Sequence, residues 1–386
     1  MKADWKKVKL GEITSNIQTG PFGSQLHMSD YSDEGTPVVM PKDIINGKIS
    51  ESSIARVSEN HVKRLNRYVV STGNILYARR GDVGKCAYVS EKENGWLCGT
   101  GCLNVESNLD VVDSKFIFFQ LQNPETVGWI QKNAVGATML NLNTEILSRV
   151  PISLPPLEIQ QKIASILSAY DDLIENNRKQ IKLLEEAAQR LYKEWFVDLR
   201  FPGYENVAIV DGLPEGWRKE KLGSLLPIVT GKKDANFGTK DGMYPFFTCS
   251  QEPIKAPSYS FDANAILLAG NGDLNVKIFR GKFEAYQRTY VLVPNEQEHL
   301  FICYRTVQDN LRKLIHGASG STIKFITKGM IENIDVIIPQ DEILIKFNIL
   351  SDNILKKMEK LQRQIYLSQQ TRDKLLPRLM SGEMEV

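Results

Sequence analysis

The sequence predicts an α+β fold with two globular domains, related by a pseudo-twofold axis and separated by two long helices that form an intramolecular antiparallel coiled coil. Three observations predict this fold. A set of strand and turn segments occurs twice along the chain, and each copy is followed by a glycine-poor stretch with heptad spacing. The length of 386 residues also exceeds what one hydrophobic core usually organises.

The repeat is clearest in one strand and turn. NILYARRGD at residues 74–82 returns as AILLAGNGD at 265–273, so that both copies carry Ile-Leu-x-Ala-x-x-Gly-Asp. The other repeated landmarks, first copy before second, are WKKVKLG (5–11) and WRKEKLG (217–223), Thr19-Gly20 and Thr230-Gly231, Gly-x-Thr at 136–138 and 320–322, and a strand ending in proline at 150–156 and 334–340. Internal repetition of this kind indicates a duplicated supersecondary unit.

The spacings between these landmarks differ, so the two copies have diverged in their loops. A shared scaffold with different loops is expected when each copy performs the same task on a different target. The alternative is a duplicated structural unit without functional meaning.

Two stretches carry a heptad seam. The first steps by four and three through Ile163, Leu167, Tyr170, Ile174, Asn177, Ile181, Leu184, Ala188, Leu191 and Trp195. The second steps in the same way through Phe347, Ser351, Ile354, Met358, Leu361, Ile365, Ser368, Arg372, Leu375 and Leu379. Such spacing is typical of helices that pack along a narrow seam.

These seams predict helices at about 155–200 and 339–380, each about 60 Å long at 1.5 Å per residue. Neither can bury its seam alone, so we expect the two to pair within the chain, antiparallel because the second copy connects the end of one to the start of the other. Asn177 would fix the register, and Pro377 should end or kink the second helix near Leu376. Pairing with a second chain is the alternative.

The resulting organisation has five segments. We predict a first globular domain at 1–153, a spacer helix at 154–200, a turn-rich linker at 201–216, a second globular domain at 217–338 and a second spacer helix at 339–386. Short strands separated by glycine-rich loops, with helical patches such as SKFIFFQLQN (114–123), indicate α+β domains.

The formal net charge of +2 indicates that any contact with nucleic acid depends on local clusters of cations. Two such clusters lie at corresponding places in the two copies, namely Arg79, Arg80 and Lys85, and Lys232, Lys233, Lys277, Arg280 and Lys282. Polar loops nearby supply Asn141, Asn271 and Lys324. Paired domains on a rod suit duplex DNA, which has its own approximate dyad. A solvated surface without function is the alternative for each cluster.

Motifs for several kinds of chemistry are absent from the sequence: a nucleotide-binding P-loop, a G-x-S-x-G elbow and an H-E-x-x-H pair. Cys98 and Cys102 could supply two zinc ligands, but no second pair sits at finger spacing, which favours ordinary buried thiols. Asp82 and Asp273 are interpreted as turn formers. The chain therefore reads as a non-catalytic binding protein, with no metal site. The rival interpretations are an unrecognised nuclease or methyltransferase, and a structural coiled-coil adaptor that does not bind DNA.

Five scattered cysteines are expected to be reduced thiols, as in a cytoplasmic protein. The N-terminal stretch has no apolar segment typical of a secretory signal, and no run of apolar residues is long enough to span a membrane. These features predict a cytoplasmic location.

The sequence resembles the specificity subunits of type I restriction–modification systems over nearly its whole length. The resemblance is carried by WKKVKLGEI (5–13), LPPLEIQQKIASILSAYDDLIENNRKQIKLLEEAAQRLYKEWF (154–196), LPEGWRKEKLG (213–223) and RDKLLPRLMSGE (372–383). In that family two target-recognition domains each read one half of a split DNA sequence. The resemblance implies two such domains here, reading an asymmetric target because Gly270-Asn271 replaces Arg79-Arg80.

The resemblance also implies partners and site residues. The expected partners are double-stranded DNA, two methyltransferase (modification) subunits and the restriction and translocase subunits. S-adenosylmethionine, ATP and Mg would be held by those subunits, with no cofactor in this chain. The family's first variable loop matches Gln18, Thr19, Gly20, Gly23 and Ser24, and its second matches Thr230 to Lys233, so both loops are expected at the DNA. The family's Gly-x-Thr positions match Thr138 and Thr322.

Overall fold

The computed structural model describes residues 5–136, 140–317 and 325–386. The chain divides into two compact units. The first contains the residues as far as Asn177 together with Arg363–Val386, and the second contains Arg178–Gln362. Each unit therefore includes a segment of both long helices. Within the described residues, every helix is too short or too polar to cross a membrane.

The first unit contains a sheet-rich domain. Its strands are β1 (Lys6–Lys9), β2 (Thr14–Thr19), β3 (Tyr31–Ser32), β4 (Thr36–Val39), β5 (Ile44–Ile45), β6 (Lys48–Ile49), β7 (Ala55–Val57), β8 (Ile75–Ala78), β9 (Cys86–Tyr88), β10 (Leu97–Cys98), β11 (Cys102–Ser107) and β12 (Pro151–Leu154). Its short helices are α1 (Glu59–Arg64), α2 (Ser114–Gln122), α3 (Pro124–Asn133) and α4 (Thr144–Ser148). The first long helix is α5 (Leu157–Tyr192), which continues as a π-helical turn at Lys193–Val197.

The second unit also contains a set of strands, a few shorter helices and one long helix. Its strands are β13 (Ile209–Val210), β14 (Leu213–Pro214), β15 (Arg218–Lys221), β16 (Ile228–Thr230), β17 (Tyr244–Phe247), β18 (Ile254–Ala256), β19 (Phe261–Ala269), β20 (Val276–Ala285), β21 (Thr289–Leu292) and β22 (Asp335–Ile338). Its helices are α6 (Leu222–Leu225), α7 (Leu300–Gly317) and α8 (Lys328–Glu332), and the second long helix is α9 (Asp341–Met380). The hairpin β13–β14 lies in the stretch 201–216, which was expected to be a linker.

The two units share a sheet topology. The first has the strand order β2-β11-β8-β9 and the second contains β16-β21-β19-β20 in the same order. In each, the opening strand pairs antiparallel with the strand that precedes the long helix, β1 with β12 and β15 with β22. The duplication predicted from the repeated sequence is therefore confirmed as a duplicated fold.

The units differ in the segment inserted after the first sheet strand. In the first unit β4 pairs in parallel with β10 and belongs to a separate sheet with the order β10-β4-β7-β3. In the second unit the ten-residue strand β20 reaches far enough to pair in parallel with β17. This strand joins β17 and β18 to the main sheet, which has six strands there.

The first unit is built around strands β8 and β11, whose apolar side chains pack against helix α2. Tyr77, Phe116 and Phe119 are essentially inaccessible to solvent, and full burial of such a side chain stabilises the fold by roughly 1.5–3 kcal/mol. Helix α2 begins where it does because the Asp113 carboxylate accepts from the Phe116 N–H at 2.8 Å, which caps the free amide. The predicted helical patch at 114–123 is confirmed.

The positions of both predicted heptad seams are shielded from solvent. All ten seam positions of each long helix are buried or half-buried. Ile163, Leu167 and Phe347 are fully buried. The helices contain 36 and 40 residues, close to the predicted ranges.

Within the first unit the two long helices run antiparallel. The Arg372 guanidinium contacts the Asp171 carboxylate at 2.5 Å, and farther along the seam the Asn177 amide donates to Gln364 Oε1 at 3.5 Å. As the residue number rises in one helix it falls in the other. Asn177 is thus buried with a polar partner, consistent with a role in setting the register.

Of the two effects predicted for Pro377, an end or a kink of the helix near Leu376, the end is wrong, because α9 continues through Pro377 to Met380. Proline removes one helical N–H, which normally disfavours continuation. Here Leu379 and Met380 are buried in the core of the first unit, and the Pro377 carbonyl accepts from the Ser381 N–H at 3.0 Å. The burial gained by the last turn outweighs the missing hydrogen bond.

Candidate nucleic-acid interface

The repeated strand and turn occupies the same place in both units. Strands β8 and β19 lie inside their sheets, and each is followed by a glycine in the left-handed region, Gly81 with φ 77° and Gly272 with φ 67°. Only glycine adopts this conformation without strain. Because the turns are tight, the side chains that follow β8 and β19 lie at the end of each sheet.

A second segment packs against each turn, at residues 141–142 in the first unit and 325–326 in the second, and is called the closing segment. In the first unit the Leu142 N–H donates to the Arg79 carbonyl at 2.8 Å, and Arg80 forms a β-bridge with Asn141. In the second unit the Ile326 N–H donates to the Gly270 carbonyl at 2.9 Å. The structure therefore brings three predicted residues of the first unit together, although more than 60 residues separate them in the chain.

In the second unit the corresponding bridge joins Asn271 to Phe325. Thr138, Thr322 and Lys324, which were also predicted to contact DNA, lie outside the described residues.

The repeated Thr-Gly pairs sit where one backbone passes close to another. A Cβ on Gly20 would lie 2.1 Å from the Gly99 carbonyl oxygen, and one on Gly231 would lie 2.0 Å from the Ala285 carbonyl oxygen. No other residue fits at either place. The glycines are required by packing, and they fix the course of the loop that follows.

The loop of the first unit presents several of the predicted contacts. Gln18 and Thr19 are half-buried at the end of β2, and Ser24 is exposed. The Gln18 amide is already bonded to the Arg67 carbonyl at 2.5 Å. Ser24 therefore offers the freer polar group of this loop.

An aromatic residue that the sequence analysis missed lies in the same loop. Phe22 is 53% exposed, and the Arg79 guanidinium carbon lies 5.7 Å from the centre of its ring. The signal in the sequence was a single phenylalanine between glycines in TGPFGS, which is unusual for a polar loop. An exposed ring beside a guanidinium provides a stacking surface as well as charge.

The cations of this unit differ in whether a carboxylate neutralises them. Lys85 forms an ion pair with Asp82 at 2.8 Å, whereas Arg80 is exposed and has no carboxylate partner among the described residues. Burial lowers the pKa of the Arg79 guanidinium, and the neighbouring Arg80 charge adds to the effect. The arginine pair is thus a local concentration of positive charge with no internal counter-ion in the described chain.

The second unit arranges its candidates differently. Thr230 and Lys232 are exposed, while the Lys233 ammonium lies 4.5 Å from the centre of the Phe237 ring. Asn271 accepts a hydrogen bond from the Cys249 thiol at 3.0 Å. At the position of Arg80 this unit therefore presents a neutral side chain with a partner inside the chain.

Two of the predicted cations in this unit are occupied by internal contacts. Lys277 donates to the Ser250 carbonyl at 2.8 Å and to the Asn275 side chain, and its burial lowers the pKa of its ammonium. Arg280 forms an ion pair with Asp352 at 2.7 Å and lies over the Phe301 ring. These contacts hold Arg280 against helices α7 and α9. They do not bring Arg280 to Asn271, whose contacts are with Cys249 and Phe325.

Among the described residues, no cluster of histidine, cysteine and carboxylate side chains could hold a metal ion. Cys98 and Cys102 are buried, and burial raises the pKa of the Cys98 thiol to about 12. Burial raises the pKa of Cys102 as well. Both therefore pack as neutral thiols, since metal ligation requires a thiolate.

Comparison with known proteins identifies the family. The model of the type I restriction modification DNA specificity domain matches residues 2–186 and 214–376. The specificity subunit of the type I restriction enzyme MjaIX from Methanocaldococcus jannaschii is 28% identical over 418 residues, covering 99% of this chain and 94% of that protein. The EcoDI specificity subunit of Escherichia coli is 38% identical over 176 residues, which are 45% of this chain and 39% of that protein.

A solved structure shows the same fold. The S subunit of a type I restriction–modification system from M. genitalium superposes with a TM-score of 0.62 at 16% sequence identity, covering 97% of this chain and 96% of that one. The duplicated topology, the two matched segments and the full-length relative agree. The chain belongs to the family of type I restriction–modification DNA specificity subunits, and it carries two copies of the DNA specificity domain.

Proposed function

We propose that the two recognition domains read the two halves of a split and asymmetric DNA target. The observation that carries this proposal is the different chemistry at corresponding points of one framework. Where the first unit has Arg79 and Arg80, the second has Gly270 and Asn271 on the same strand and turn. Base edges are distinguished by their donors and acceptors, so domains with different side chains at this point read different bases.

The domain limits of the proposal are those predicted from the sequence. The recognition domains are 1–153 and 217–338, joined by residues 201–216. The helical segments 154–200 and 339–386 set the number of base pairs between the half-sites. Removing one heptad from each helix shortens it by about 10 Å. The gap should then shorten by about three base pairs, and methylation with an unchanged gap would contradict this role.

The long helices also provide surface for partner subunits. Leu183, Ile345 and Ile349 of the second unit are each about half exposed or more. In the first unit Tyr366 and Leu367 are about half exposed. Apolar side chains on the outer face of paired helices favour packing with another protein. We propose that two methyltransferase subunits dock on these helices, and that restriction and translocase subunits join that complex.

This chain supplies recognition, and the partners supply the chemistry. S-adenosylmethionine would bind to the methyltransferase subunits, and ATP and Mg to the restriction and translocase subunits, all in the cytoplasm. With a net charge of +2, the chain alone should bind DNA weakly, because phosphate contacts dominate affinity. Partners that enclose the duplex would add those contacts and make binding depend on salt.

A domain exchange tests this function. Residues 217–338 are replaced by the corresponding domain of another specificity subunit, and the methylated adenines in the host genome are mapped. We expect one half of the modified sequence to change while the other half stays the same. An unchanged modified sequence would instead indicate a structural adaptor, and turnover of DNA by the purified chain alone would indicate an enzyme.

A further inference from the structure

The backbone that carries Arg79 is held from both sides. Its N–H donates to the Gly101 carbonyl at 2.8 Å, and its carbonyl accepts from the Leu142 N–H at 2.8 Å. These bonds tie the residue to the neighbouring strand connection and to the closing segment. The side chain therefore starts from a fixed point, which reduces the entropy lost when it binds a ligand.

The guanidinium of Arg79 lacks acceptors. In the part of the chain that the structure describes, Arg79 forms no ion pair, and its Nε is buried without a hydrogen-bond partner. Asp82, the nearest acidic residue in the sequence, is paired with Lys85. A buried donor without an acceptor is destabilising, so such groups usually have a partner. A ligand cannot reach the buried Nε, but the terminal N–H groups of Arg79 also lack acceptors among the described residues and are open to a ligand.

Phe22 provides a platform for the same guanidinium. The 5.7 Å distance to its ring places the planar group beside an aromatic surface. The loop is pre-organised, because Gln25 Oε1 accepts from both the Phe22 N–H at 3.2 Å and the Tyr68 hydroxyl at 2.8 Å. A stacked guanidinium keeps its N–H edge in a defined direction, which is the geometry that paired recognition of two acceptors requires.

The closing segment lies beside Arg80. Asn141 is the residue whose backbone bridges to Arg80. Residues opposed across an antiparallel bridge share one face of the strand pair, so the Asn141 side chain lies on the face of Arg80 and not on that of Arg79. In the major groove guanine presents two acceptors, N7 and O6, which match the paired donors of a guanidinium.

Resting on the proposed function, we propose that Arg79 is a specificity-determining residue that reads a guanine in the first half-site. Its terminal N–H groups donate to guanine O6 and N7, and Phe22 holds its plane. Arg80 is exposed and contacts phosphate. The second unit has Gly270 at the position of Arg79, so this guanine contact belongs to the first half-site alone.

The test uses the full-length chain assembled with the methyltransferase subunits of its own system. Methylation is measured on a duplex library in which the first half-site is randomised and the second is kept constant. We expect a guanine preference at one position. Arg79→Ala should reduce that preference about 10- to 100-fold. Arg79→Lys should also lose it, because a lysine keeps the charge without the planar pair of donors.

Arg80→Ala is the matched control, since it removes the adjacent positive charge. It should slow methylation of all library members to a similar extent and reduce the dependence of binding on salt, without changing base preference. Gly23→Ala, which places a methyl group in open space in the same loop, checks that the loop tolerates substitution. Thermal unfolding of each variant separates misfolding from lost recognition.

A uniform loss of activity in Arg79→Ala with the guanine preference intact would overturn the inference. An exchange of residues 1–153 distinguishes this result from failure of the proposed function. If the exchange alters the first half-site but Arg79→Ala does not, only the reading of guanine by Arg79 is wrong. If the exchange alters neither half-site, the domain does not read DNA and both proposals fail.

Discussion

The two units build the same strand, turn and closing segment and then place different side chains on it. The first ends its repeated strand with two arginines, and a closing residue with an unmet acceptor lies beside them. The second has Gly270 and Asn271, and the asparagine is bonded to a thiol within its own unit. Backbone hydrogen bonds at 2.8 Å and 2.9 Å hold the closing segment in each case.

The comparison separates the parts of the fold that packing constrains from those left free to vary. Positions where backbones pass closely keep glycine in both units, as at Gly20 and Gly231. Positions that face outward after the turn differ in charge and size. A framework fixed by backbone contacts allows the exposed side chains to change without loss of the fold, and target recognition can change with them.

The largest expected effect tests the shared framework. Gly20→Ala and Gly231→Ala each place a methyl group about 2 Å from a carbonyl oxygen, so the backbone must shift. We expect each to lower the free energy of unfolding by about 3 kcal/mol, measured by denaturant unfolding. The controls Gly23→Ala and Gly329→Ala meet no atom within 4 Å and should have small effects. If only one of Gly20→Ala and Gly231→Ala destabilises the chain, the backbones of the two units are not equivalent at these positions.

The second prediction compares the buried thiols of the units. Burial raises the pKa of Cys86 in the first unit and of Cys303 in the second to about 12, from an ordinary value of 9.0. The thiols ionise more readily in the unfolded chain, so their contribution to stability is complete below pH 9 and is lost as the pH rises towards 12. Ionisation of each thiol in the unfolded chain should lower the free energy of unfolding by about 1.4 kcal/mol at pH 10.

Cysteine-to-alanine variants measure this loss. The destabilisation caused by Cys86→Ala, relative to the unsubstituted chain, should be about 1.4 kcal/mol smaller at pH 10 than at pH 8. Cys303→Ala should show the same difference for the second unit. Equal destabilisation at both pH values would mean that the thiol is accessible to water in the folded chain.

A smaller effect concerns the ion pairs of the long helices. In the first unit Arg372 and Asp171 join the two helices to each other, and both side chains are about three-quarters buried. Asp171→Asn should cost about 1 kcal/mol. In the second unit Asp352 contacts Lys356 and Arg280, which hold its carboxyl pKa below the ordinary value.

That depressed pKa gives Asp352 a contribution present above the unfolded pKa and lost as the pH falls through the folded value. Asp352→Asn should therefore destabilise the chain at pH 7, with a smaller penalty near pH 3. Denaturant unfolding at the two pH values measures the change. A penalty that is the same at both would show that the ion pair does not contribute.

The smallest effect concerns the repeated aspartates. Asp82→Asn frees Lys85 from its ion pair, and we expect DNA binding by the assembled complex to tighten about threefold at low salt. Asp273 is instead bonded to the Gln251 amide at 2.7 Å, so Asp273→Asn should change affinity less. DNA titrations of both variants at two salt concentrations measure the change in affinity. A larger effect of Asp273→Asn would contradict the inference that only Asp82 neutralises a cation near the DNA.

Sequence patterns were sufficient for features that repeat locally. The heptad seams follow from a side-chain period that any long helix must obey, and the duplicated strands follow from the same turn chemistry occurring twice. The sequence analysis chose Arg79, Arg80 and Asn141 as candidate DNA contacts from the repeat and the loop chemistry, but it did not predict that Asn141 lies beside Arg80. That assignment as DNA contacts stays a prediction.

Features created by distant packing were not accessible in this way. The Arg280–Asp352 pair joins residues 72 positions apart, and no local pattern indicates it. The continuation of α9 beyond Pro377 depends on Leu379 and Met380 joining a core whose other members lie mostly before residue 168. The role of Phe22 depends on a guanidinium more than 50 residues away.

The discontinuous make-up of the first unit has a consequence for how the protein is synthesised. Its core includes Leu376, Leu379 and Met380, so a ribosome must translate as far as Met380 before that unit can finish folding. The second unit is a single stretch, Arg178–Gln362, and can mature earlier. A stop codon shortly after residue 362 would therefore damage the unit that is translated first and spare the one encoded next to the lesion.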